Sequence, residues 1–158
     1  NGVVHILDGN GTPVLTEIFP YSTGNQIWGA PAAADIDLDG YLDFVVCSKD
    51  GNLYVFDQFG LKWIYSTEHY LIGTPAIGNL DIDPELEIVF TSYGPGTSGN
   101  FIYVVDHNGN NSNNFPFSIN EKIKVGVALA DFNNNNKDDI VVGTDNNNLY
   151  LIFDDSTS

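Results

Sequence analysis

The sequence has little positive charge: five Lys+Arg stand against 21 Asp+Glu, a formal net charge of −16. Nucleic acid and anionic membrane both require clustered cations, so neither is an expected partner. Cysteine is reduced to Cys47, which rules out an internal disulfide. That thiol lies in the apolar run Phe44-Val45-Val46-Cys47 and reads as a small buried hydrophobe. No run of 18 apolar residues occurs, so no helical membrane span is expected. The histidines, His5, His69 and His107, have no spacing that suits zinc, and neither H-E-x-x-H nor a nucleophile elbow is present. Gly94-Pro95-Gly96-Thr97-Ser98-Gly99 is followed by neither a lysine nor a helix, and reads as a flexible loop rather than a phosphate cradle. No catalytic activity is expected of these residues. The chain opens at Asn1-Gly2-Val3 without Met or a signal-like segment and is expected to be part of something longer.

What is abundant is aspartate at alternate positions. Asp35-Ile36-Asp37-Leu38-Asp39-Gly40-Tyr41-Leu42-Asp43 has carboxylates at positions 1, 3, 5 and 9 of a nine-residue loop, with glycine at position 6. A hard cation such as Ca2+ takes six to eight oxygens at ~2.3–2.6 Å, and alternating Asp on a tightly turned backbone can aim several at one centre. Asp35, Asp37, Asp39 and Asp43, with the main-chain carbonyl of Tyr41, form the first expected site, and its opening matches D-x-[DN]-x-[DN]-G. Position 12 is Val46, inside a strand, so the loop is not an EF-hand and Asp43 must close it.

The loop recurs at offsets of 44 and 52 residues. The second copy, 79–87, offers Asn79, Asp81, Asp83, Glu87 and the Glu85 carbonyl. The third, 131–139, offers Asp131, Asn133, Asn135, Asp139 and the Lys137 carbonyl. Pro84 and Asn136 replace the glycine in these copies. Affinity for calcium rises with ligand charge and rigidity, so the first site is expected to be tightest, followed by the second and the third.

Other features repeat with the loops. Gly29-Ala30-Pro31 and Gly73-Thr74-Pro75 stand equally far ahead of the first two, and Asp8, Asp57 and Asp106 end apolar runs at 49-residue spacing, each entering a turn. Phe19-Pro20-Tyr21-Ser22, Trp63-Ile64-Tyr65-Ser66 and Phe115-Pro116-Phe117-Ser118 align as outer strands, and the prolines suit an edge. The unit is strand A, metal loop, strand B, connection, strand C, tight turn, edge strand D, with no room for a helix. Thirteen strands are expected: the second half of a unit over residues 1–22, units over 23–66 and 67–118, and an incomplete unit over 119–158. Four-stranded units at this period are blades of a β-propeller, so the expected fold is all-β with about three blades.

The passage from Gly29-Ala30-Pro31 into Asp35-x-Asp37-x-Asp39-Gly40-x-x-Asp43 closely resembles the FG-GAP/VCBS repeat family, the calcium-binding propeller repeat of integrin α-subunits and many secreted bacterial proteins. The resemblance covers nearly the whole chain. It implies a fragment of a larger propeller, serving adhesion or the binding of a protein or glycan. Alternatives are a structural repeat of a surface filament or large adhesin, joined through open blade edges, and the non-catalytic propeller of a secreted polysaccharide-active enzyme. Loops of this type bind calcium at ~10^-4–10^-3 M, which implies a secreted or cell-surface location. Ligands of similar propellers meet the end opposite the metal loops, where His69, Tyr70 and Tyr93 are the aromatic candidates.

Overall fold

Runs such as Leu53-Tyr54-Val55-Phe56, rich in aromatic and β-branched residues, favour extended pairing over helix. The computed structural model, which describes residues 1–153, contains twelve strands, all paired antiparallel, in four sheets. Strands β1 (Val3–Val4) and β2 (Tyr21–Ser22) form the first sheet. The second is complete, with β3 (Ala32–Ala34), β4 (Asp43–Cys47), β5 (Asn52–Asp57) and β6 (Gly60–Ser66) paired in that order. The third contains β7 (Ala76–Gly78), β8 (Glu87–Thr91) and β9 (Ile102–Val105), and the fourth β10 (Val127–Ala130), β11 (Asp139–Gly143) and β12 (Leu149–Ile152).

One expected strand is not formed. The outer segment Phe115-Pro116-Phe117-Ser118 touches its sheet only through the isolated bridge Ile102–Phe117, with a second bridge between Val105 and Asn111. Pro116 has no N–H to give to a ladder. The turn from Asp106 to Phe115 is also longer than the one from Asp57 to Trp63, and lets the chain diverge. The run Leu149–Phe153 is followed in sequence by Asp154 and Asp155 rather than by the Asp-led turn of the earlier runs, and both lie outside the described residues.

Alternation along each strand sends successive side chains to opposite faces, and each face meets a neighbouring sheet. Val46, Tyr54 and Phe56 pack with Phe19 between the first and second sheets. Val45, Cys47, Leu53 and Val55 turn the other way, onto Ile88, Phe90, Tyr103 and Val105 of the third. Val89, Ile102 and Val104 then face Ile140 and Val142 of the fourth. Three apolar layers therefore separate four sheets stacked in chain order, and β4, β5, β8 and β9 are buried on both faces. β12 is not: Leu149 is 74% exposed, because no described sheet lies beyond it.

The first strands β3, β7 and β10 stand side by side. Their approach explains the recurring glycine ahead of the metal loops. A Cβ on Gly29 would lie 2.4 Å from the Gly73 carbonyl oxygen, and one on Gly73 would lie 2.5 Å from that of Val125. No side chain fits at either point.

Candidate metal centres

Each loop joins the first and second strands of a sheet, and all three share one hydrogen bond. The position-9 carboxylate opens the second strand and turns back to accept the N–H of position 2. Asp43 Oδ2 accepts from Ile36 (3.1 Å), Glu87 Oε2 from Leu80 (2.7 Å) and Asp139 Oδ2 from Phe132 (2.9 Å). These carboxylates are 1%, 1% and 0% exposed. The position-2 residues Ile36 and Leu80 are buried plugs in the layers between sheets, while Phe132, on the last sheet, is exposed. The position-2 contact carries no obvious motif in the sequence and was not anticipated from it.

At position 1, Asp35 Oδ2 accepts the Gly40 N–H and Asp131 Oδ2 the Asn136 N–H, both at 2.9 Å. Position 6 of the second loop is Pro84, which has no N–H, and position 1 there is Asn79, whose Nδ2 instead donates to the Asp83 carbonyl (3.0 Å). The Asn-for-Asp and Pro-for-Gly exchanges are thus two halves of one local solution. Gly40 (φ +92°) and Asn136 (φ +67°) both take the left-handed conformation, as do Leu38 and Asn134 at position 4; Ile82 and Pro84 do not. Side chains at position 5 accept the N–H of position 7, Asp39 Oδ1 from Tyr41 and Asn135 Oδ1 from Lys137, each at 2.8 Å, which anchors the peptide just ahead of each carbonyl expected as a ligand.

The carboxylates converge in two of the three loops. One oxygen each from Asp35, Asp37 and Asp39 lie within 4.8 Å of one another, and so do oxygens of Asp81, Asp83 and Glu87. Asp35 Oδ1, Asp37 Oδ1 and Asn79 Oδ1 are buried and make no hydrogen bond. A buried acceptor without a donor costs about 1–3 kcal/mol, and a cation at the centre of each loop would satisfy it. The donor set is all oxygen, as a hard cation requires, so the first two loops fit calcium. Burial pushes the Glu87 carboxyl up to about 7, and the charges of Asp81 and Asp83 push the same way. Burial also raises Asp83, helped by Asp81 and Glu85. Burial is the larger cause of both shifts, and neighbouring carboxylates add to it.

Asp43 is drawn away from the cluster. Its Oδ1 is held by the Lys62 ammonium at 2.9 Å, and the same Nζ lies 2.7 Å from Asp37 Oδ2. The bond to Lys62 lowers the Asp37 pKa against the cost of burial. Burial raises that of Asp43 despite the ammonium. Burial alone would lower the Lys62 pKa, but Asp37 and Asp43 together raise it. The third loop is self-satisfied: Asp131 Oδ1 accepts the Asn135 N–H (3.0 Å), as does Asn133 Oδ1 (3.1 Å), and Asn133 Nδ2 reaches Asp139 Oδ1 (3.5 Å).

The loops are also joined to one another. Leu86 N–H donates to the Ile36 carbonyl (2.9 Å), linking the first loop to the second. Asp138 N–H donates to the Asn79 carbonyl (2.6 Å), and Asp138 Oδ2 accepts the Asn79 N–H (3.2 Å), linking the second to the third.

At the opposite ends of the sheets, Tyr70 and Tyr93 exchange both backbone hydrogen bonds and, with Glu68, His69, Gly94 and Pro95, line a cleft of about 420 Å³. His69 is stacked on Phe101 at 5.7 Å, so it shapes the wall. Trp28, 61% exposed, extends the aromatic surface: the Lys49 ammonium lies 4.2 Å from its ring centroid and 5.3 Å from that of Tyr70. Sequence reasoning missed Trp28 and Lys49, which stand 21 residues apart with no shared motif. Comparison with protein-family models, with curated proteins and with solved structures finds no match for this chain.

Proposed function

We propose that this chain is a calcium-stabilised, propeller-like module of the FG-GAP/VCBS kind, working outside the cell to bind a protein or glycan. The observation that carries the proposal is the set of buried, unbonded oxygens of Asp35, Asp37 and Asn79 inside loops of one shared design. Calcium on these loops would bridge the first and second strands of a sheet and, through Leu86–Ile36 and Asp138–Asn79, tie neighbouring sheets. Millimolar calcium outside cells would fill sites of ~10^-4–10^-3 M affinity, and the cytosol would not. The face left for a ligand is the cleft of Tyr70 and Tyr93 with the Trp28–Lys49 pair. Exposed rings give contact area at low entropic cost, and a sugar or an extended peptide suits such a surface.

Screening the calcium-loaded chain against immobilised glycans and extracellular-matrix proteins tests this reading. Tyr70→Ala and Tyr93→Ala should each reduce retention on any ligand found, with calcium uptake unchanged. Retention unaffected by both substitutions would reject this face. A second reading, a repeat that stacks on further copies, is favoured by the open apolar face at Leu149 and Leu151. It predicts a molecular mass that rises with concentration in light scattering.

A further inference from the structure

Lys62 lies on β6, the outer strand of the second sheet, 25 residues from Asp37. Its side chain is 20% exposed, and its ammonium is shared between Asp37 Oδ2 and Asp43 Oδ1. Those contacts matter because of what the other oxygens do. Asp43 Oδ2 is committed to the Ile36 N–H, so Oδ1 is the oxygen that Asp43 has left for a cation, and Lys62 holds it. Asp37 gives Oδ2 to Lys62 and leaves Oδ1 buried without a hydrogen bond. The third sheet has no such group: the position that aligns with Lys62 is Asn114, and no lysine occurs between Asn108 and Ser118. With only five cationic residues in the chain, one of them placed on two expected ligands is a specific feature of the first loop.

We propose that Lys62 is a built-in competitor for the cation of the first loop, holding oxygens of Asp37 and Asp43 and setting calcium affinity there below what four aspartates would give. The inference rests on the calcium reading above. A fixed positive charge within hydrogen-bond reach of the ligands repels an incoming divalent ion, and calcium must either displace the ammonium from Asp43 or do without that oxygen. Lys62 offsets one of the four aspartate charges, which leaves the first loop no more negative than the second with Asp81, Asp83 and Glu87. The first loop therefore loses the advantage that its sequence implies. The ammonium also keeps Asp37 and Asp43 paired when calcium is scarce.

Calorimetric titration of the full chain with calcium chloride tests this, using wild type, Lys62→Met and Lys62→Arg. Lys62→Met retains the aliphatic stem and removes the charge. It should tighten one site by roughly tenfold, the scale of one like charge removed from a partly solvated centre. That gain should vanish when Asp39→Ala is added, and Lys62→Arg should stay near wild type. The melting temperature of Lys62→Met in chelator should fall, since Asp37 and Asp43 lose their partner. A purely structural lysine would lower the melting temperature without tightening calcium. Should Lys62→Met not fold, the lysine side-chain ε-CH2 resonances of the wild type give an independent reading. A Lys62 signal that shifts in step with filling of the first loop supports competition, and one that stays put overturns it. If wild type binds calcium and Lys62→Met binds it no more tightly, this inference alone fails. If neither takes up calcium, the reading of the loops fails with it.

Discussion

Asp43, Glu87 and Asp139 each do two jobs, and these can be separated. One oxygen of each accepts a backbone N–H at position 2, which is a folding contact; beyond it Asp43 Oδ1 meets Lys62, Glu87 joins the cluster with Asp81 and Asp83, and Asp139 Oδ1 meets Asn133 Nδ2. Asp139→Asn keeps a carbonyl oxygen for the Phe132 N–H, whereas Asp139→Ala leaves that donor without a partner. In chelator, Asp139→Ala should cost about 1–3 kcal/mol by urea unfolding and Asp139→Asn clearly less. Equal losses would mean that the bond to Phe132 contributes little. Asp106 offers a second residue-level test. Its Oδ1 accepts the N–H groups of Asn108 and Asn110, both at 2.8 Å, and its Oδ2 the Asn110 amide at 2.9 Å. Burial works against the ionised form, but these bonds outweigh it and hold the pKa below its ordinary 3.8. A carboxyl whose pKa is lower in the folded state than in the unfolded state stabilises above the unfolded value. That contribution is lost as pH falls through the folded one. The gap in melting temperature between wild type and Asp106→Asn should therefore be full above the ordinary carboxyl value and narrow as pH falls below 3.8. A gap independent of pH would contradict this. Residue chemistry was also where the sequence was least informative: nothing within the nine-residue window announced Lys62, which reaches the first loop from another strand.

At the scale of elements, the strands were legible because their pattern is local. Phe44-Val45-Val46-Cys47, Ile88-Val89-Phe90 and Ile140-Val141-Val142 all became second strands, starting where the position-9 carboxylates placed them. The outer strand after Asp106 was not legible, since pairing there depends on how a long Asn-rich turn leads the chain back, and Pro116 gives the sheet no donor. The recurring glycine ahead of the first two loops was legible as a pattern but not as a cause; the cause is backbone meeting backbone between sheets. Gly73→Ala would place a methyl against the Val125 carbonyl, where no flexible side chain can give way. It should destabilise by roughly 1–3 kcal/mol or more in a denaturant melt. Gly9→Ala, whose added methyl meets nothing within 4 Å, should be close to neutral. Similar losses at the two positions would remove the argument for close approach at the inner strands.

At the scale of the molecule, the described residues form a stack of four sheets held by three apolar layers, with the loops joined in a row at one end and an aromatic cleft at the other. That arrangement makes the loops more than decorations on separate turns, because a cation fixing the second loop also fixes the carbonyl that meets Asp138 and the N–H that meets Ile36. Calcium should therefore stabilise the stack as a unit, and Asp81→Ala should weaken binding at the first loop as well as the second, by linkage through Leu86. Calcium titration of that variant would show the first site unchanged if the loops are independent. The most direct test of the calcium account is the melting temperature in excess calcium and in chelator, for wild type and for a variant carrying Asp39→Ala and Asp83→Ala. At calcium a hundredfold above Kd, each filled site adds about 2.7 kcal/mol, or roughly 5–10 °C for a domain of this size. The wild-type melting temperature should rise by at least that amount in calcium, and the rise should be lost in the double variant. A wild-type melting temperature that is the same in calcium and in chelator would contradict it.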